Sequence, residues 1–133
     1  ATAPQCIVGG FHRCKFWERK AGGYGYDKDE LAFLFAFATP QGRETVFLPI
    51  RPEAAERAIY RGPGSLISFG SGSSRESDLE VRLGGFRDTY KHVGSHLALY
   101  GPEDTTCHRL LGPEAPDWNE SRTLEHWIIF RGL

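Results

Sequence analysis

The chain has 133 residues and 40% hydrophobic content, enough for one compact core and too little for two separate domains. With 16 basic and 17 acidic residues spread along it, the net charge is −1. That balance excludes the electrostatic footprint of a nucleic-acid binder or of a protein held on an anionic membrane.

In chain order, "QCIVGG" places β-branched residues ahead of a glycine pair and predicts a strand closing into a turn, with Phe11 leading the chain back. "RCKFWERK" extends as a second strand, and "AGGYGYDKDE" is a loop rich in glycine and aspartate. "LAFLFAFA", Leu31 to Ala38, is apolar on both faces. It falls far short of the roughly 20 residues of a membrane helix. Its length, its phenylalanines and the flanking turn signals predict a central strand with a layer packed on each face. After the turn "TPQGRE", "TVFLPI" alternates as the return strand of a hairpin.

"PEAAERAIY" predicts a helix with Pro52 in its first turn and Glu53 four residues before Arg57. "GPGSLISFGSGSSRESDLEVRLGGF" then gives strand, glycine-serine turn, strand. In "DLEVRL", Leu79, Val81 and Leu83 point one way, leaving Glu80 and Arg82 on a solvent face. Residues 89–116 carry little regular pattern beyond one helical turn at "CHRLLG", and "TLEHWIIF" is a closing strand. The texture of short apolar runs between 16 glycines and eight prolines predicts a mainly β (α+β) domain spanning residues 1–133. Its architecture is a two-sheet antiparallel β-sandwich with a few short helices.

Several constellations invite a chemical reading. "IVGG" also opens the mature chain of trypsin-like proteases, but there it works as a free terminus. Here five residues and Cys6 precede Ile7, and no nucleophile elbow surrounds the serines of "FGSGSSRES". "GSGSS" runs into a strand, not into the helix that a phosphate loop requires. His12 with Cys14, or His92, His96, Cys107 and His108, lack the compact spacing of a structural zinc site. No metal or cofactor is therefore expected. The three cysteines, Cys6, Cys14 and Cys107, are too few for a disulfide framework, and at least one is expected as a buried thiol. A chain without methionine is expected to be trimmed or cut from something longer, and the cysteine usage leans towards an intracellular setting. "NES" at Asn119 is formally a glycosylation sequon. Trp127 and the phenylalanines are expected in the core, whereas Trp118, in the polar "PDWNES", is a candidate partner contact.

Taken in order, these segments resemble the TLDc domain family. The family pattern is an "(I/V)(F/V)GG(Y/F)" strand, a tryptophan-bearing segment, "D..AFLF", a glycine-rich "FG.G…DL.(I/V)" stretch and a final "(I/V)E(V)W". The chain offers Ile7 to Phe11, Trp17, Asp29 to Phe37, Ala58 to Val81 and Leu124 to Trp127, collinear over roughly residues 5 to 130. Two departures stand out: the helical section that usually precedes the glycine pair is missing, and "SSRES" lengthens the turn before Asp78. The chain thus resembles a divergent or N-terminally short member.

The resemblance implies a sandwich of two antiparallel sheets and no catalytic residues. It also implies association with oxidation resistance and, in several members, binding to the vacuolar proton pump. It marks Gly9, Gly10, Gly70 and Gly72 as scaffold glycines and Asp29 and Asp78 as strand-entry turn residues. Trp127 belongs to the scaffold, and Glu125 is a candidate binding residue beside Trp118. The expected function is a non-catalytic protein-interaction domain with a protein partner, no nucleic acid and no membrane insertion. The alternatives are a small hydrolase pairing a histidine with a cysteine or carboxylate, and a structural subunit of a complex, the latter marked by a large exposed apolar patch.

Overall fold

A computed structural model describes residues 5–13, 25–39, 45–61, 67–71, 76–82, 89–91, 96–106, 109–110 and 122–123. The described strands form two antiparallel sheets. In the first, β1 (Gln5–Phe11) and β4 (Val46–Pro49) flank β3 (Phe33–Thr39). In the second, β2 (Gly25–Asp27), β5 (Ile59–Arg61), β6 (Ile67–Ser71), β7 (Glu76–Arg82), β8 (Thr89–Lys91) and β9 (Arg122–Thr123) lie side by side in that order. The mainly β, two-sheet expectation holds. No helix among the described residues is long and apolar enough to cross a membrane.

One buried cluster joins the sheets: Leu34, Ala36, Val46 and Leu48 from the first meet Ile59, Phe69 and Leu79 from the second, with Leu97, Leu99, Tyr100 and Leu110 completing it. Period-two alternation puts these residues on inner faces. In β4, Val46 and Leu48 are buried while Phe47 and Pro49 are exposed. In β3, Leu34 and Ala36 are fully buried, and the phenylalanines between them point the other way.

Several expectations need correction. Strand β1 does not close at its glycine pair; it runs through Gly9 and Gly10 to Phe11, each residue paired in register with β3. The glycines are needed for space. A Cβ on Gly9 would lie 2.5 Å from the Phe35 ring, and one on Gly10 would lie 2.4 Å from the Phe69 ring. Alternation sends the two seats to opposite faces, so Gly9 receives a ring of its own sheet and Gly10 a ring of the facing sheet.

The expected loop around Tyr24 contains the short strand β2, paired with β5. The expected helix is a 3₁₀ helix, Pro52–Arg57, closed by bonds from Ala54 N to Arg51 O and from Ala58 N to Ala55 O. Ile59 then enters β5, so a regular α-helix through Tyr60 would remove a strand from the sheet. Arg109 and Leu110 are helical, in the segment read as one helical turn. Trp17 and most of "RCKFWERK", the turn at residues 40–44, and "TLEHWIIF" beyond Thr123 lie outside the described residues.

The two glycine seats make unequal predictions. Phe35 is half-buried on an outer face and can swing away, whereas Phe69 is held in the core. Gly10→Ala is expected to lower unfolding stability by about 2–3 kcal/mol and Gly9→Ala by about 1 kcal/mol or less. Urea denaturation of the two variants checks the order.

Candidate functional site

Two features outside the regular ladders stand out, an aromatic sheet face and the buried aspartates Asp29 and Asp78. The outer face of the three-stranded sheet carries, by register and alternation among the described side chains, Ile7, Gly9 and Phe11 on β1, Phe33, Phe35 and Phe37 on β3, and Phe47 and Pro49 on β4. None of these positions holds a charged residue. Phe33 is at the centre of the rings. Its centroid lies 5.2 Å from Phe11, in a stacked pair, 4.6 Å from Phe47 and 6.3 Å from Phe35, which stacks on Phe37 at 6.0 Å. Cross-strand aromatic pairs of this kind stabilise a sheet beyond area burial alone. They leave much surface open, with Phe47 at 58% exposure, Ile7 at 45% and Phe11 at 43%. The expectation that β3 carries a packed layer on each face is therefore met only on the inner side among the described residues.

Sequence reasoning assigned these phenylalanines to the core and so missed the face. The available signal was the strict order Phe-Leu-Phe-Ala-Phe in β3, which puts three rings on one side. Phe47 joins the same side only through its register opposite Phe35, which hairpin pairing decides.

Asp78 lies inside β7, fully buried, and not at a strand-entry turn. Its Oδ1 accepts from Ala98 N at 2.6 Å, and its Oδ2 accepts from Leu99 N at 2.9 Å and Tyr100 N at 3.0 Å. Glu80 is only 7% exposed, and Ser68 opposite it in β6 is also buried, so the solvent face expected at Glu80 is absent there; the side chain of Arg82 lies outside the described ones. The physical reason at Asp78 is the segment 98–100, whose N–H groups need an acceptor where water is excluded. Arg51 closes the other side of this segment: its Nη2 donates to Ala98 O and, at 3.3 Å, to Leu97 O. Burial is the largest influence on Asp78 and pushes its carboxyl up to about 6, against the pull of the three N–H donors and the Arg51 charge.

Asp29 is buried beside the start of β3. Its carboxylate accepts from Arg13 N at 2.6 Å, Arg13 Nε at 3.0 Å and Leu31 N at 2.9 Å, the last an Asx turn two residues on. Burial raises this carboxyl, but the two backbone donors and the Arg13 side chain together outweigh it and hold it below its ordinary value. Gly70, at φ 101, sits where the β6–β7 register shifts, a bulge that a side chain would strain.

Of the residues marked as scaffold, Gly9 and Gly10 thus leave room for aromatic rings, Gly70 sits at a bulge, and Asp29 and Asp78 accept backbone N–H bonds. Gly72, Trp118, Glu125 and Trp127 lie outside the described residues, as do Cys14, His92, Cys107 and His108. His96 is exposed and bridges to Thr106. Among the described residues, no three His, Cys, Asp or Glu side chains converge in a way that could hold a metal ion. No protein-family model, no curated protein and no solved structure matches the chain.

Asp78 yields two measurable consequences. An amide has one acceptor oxygen, so Asp78→Asn turns an N–H towards at least one of Ala98, Leu99 or Tyr100. Denaturation at neutral pH should show a loss of about 2–3 kcal/mol. The folded carboxyl titrates near about 6 against an ordinary 3.8, so the folded state holds this proton more tightly. The stabilisation it contributes is fully present below 3.8 and is lost as pH rises through about 6. Asp29 has the opposite sign: its contribution is present above 3.8 and is lost as pH falls through its lower folded value. Wild-type stability measured against Asp78→Asn across this range should therefore fall from about pH 4 to about pH 6, by on the order of 3 kcal/mol, and stay level above. A gap that widens with rising pH would contradict this.

Proposed function

We propose that this chain is a non-catalytic protein-interaction domain that binds its partner through the outer face of the three-stranded sheet. The observation that carries the reading is Phe47, 58% exposed amid rings on a face where none of the described residues is charged. Scattered exposed apolar residues are ordinary, but a contiguous apolar field marks an interaction surface. Aromatic rings already packed on one another lose little freedom on binding and serve as anchors.

The resemblance to TLDc domains points the same way, since it implies association with oxidative-stress resistance and with a larger assembly such as the vacuolar proton pump. It rests on the order of short motifs from Ile7 to Trp127. Two packed antiparallel sheets are compatible with it. The same face also favours a second reading, a structural subunit whose aromatic surface is permanently covered by a neighbour. The two readings differ in whether the chain is found free of its partner.

Affinity capture from the native source, with wild type and Phe47→Asp as baits, tests the proposal. Wild type should retain a partner that the variant recovers at least about tenfold less well, with unchanged circular dichroism. Equal recovery by both baits would remove this face from the function. A partner present at fixed ratio through every purification step would favour the subunit reading.

A further inference from the structure

We draw no further inference here: the strongest candidate, the aromatic patch around Phe33 and Phe47 on the outer face of the three-stranded sheet, already carries the proposed function, and nothing in the structure shows what covers it.

Discussion

The carboxylate of Asp78 is the interaction on which the arrangement of the two sheets depends. It belongs to β7 of the larger sheet, yet its three donors are the backbone N–H groups of Ala98, Leu99 and Tyr100. The same segment is bonded to the end of β4 through Ile50, Arg51 and Pro49 in the smaller sheet. One buried side chain therefore fastens a loop that is stitched to both sheets. It also fixes Tyr100, which is fully buried and donates its hydroxyl to Ala58 O at 2.6 Å. That carbonyl also accepts from Gly70 N at 2.9 Å, at the bulge. Removing an acceptor at the head of this chain would leave several buried groups unmatched, which costs more than any single hydrogen bond returns.

Tyr100 and Gly10 are joined through Phe69. The Phe69 ring meets Tyr100 edge-on at 6.0 Å and His12 at 5.9 Å, and it occupies the space that a side chain on Gly10 would fill. The glycine pair in β1 is thus a packing device, one glycine admitting a ring from the facing sheet and the other a ring from its own. On the inner side this closes the core. On the outer side it lets Phe35 lie low among its neighbours and keeps the aromatic field continuous. The core and the candidate docking face depend on the same two residues.

The element order was largely legible, because alternation and glycine-rich turns are local signals. The hairpin of β3 and β4 and the strands β6 and β7 could be read from "LAFLFAFA", "TVFLPI" and "DLEVRL". The face was not legible, and neither was the role of Asp78. Hydrophobicity says that a phenylalanine prefers burial, and it does not say which side of a sheet its own chain covers. An aspartate in a strand pattern reads as exposed or as a turn residue until the N–H groups of a segment some 20 residues later converge on it. Asp29 was closer to legible, since its bond to Leu31 N is local, but its contacts with Arg13 arise only when the start of β3 meets the end of β1.

By itself the sequence determined the strand periodicity, the uncharged composition of β3, the glycine positions and the absence of a strong net charge. These follow from residue type and spacing along a few neighbours. Tertiary structure alone decided which side of the three-stranded sheet is covered, why two adjacent glycines are needed and where a buried carboxylate finds its donors. Each of those depends on groups distant in the chain meeting at contact distance, and burial, steric fit and hydrogen-bond satisfaction have no value until they do.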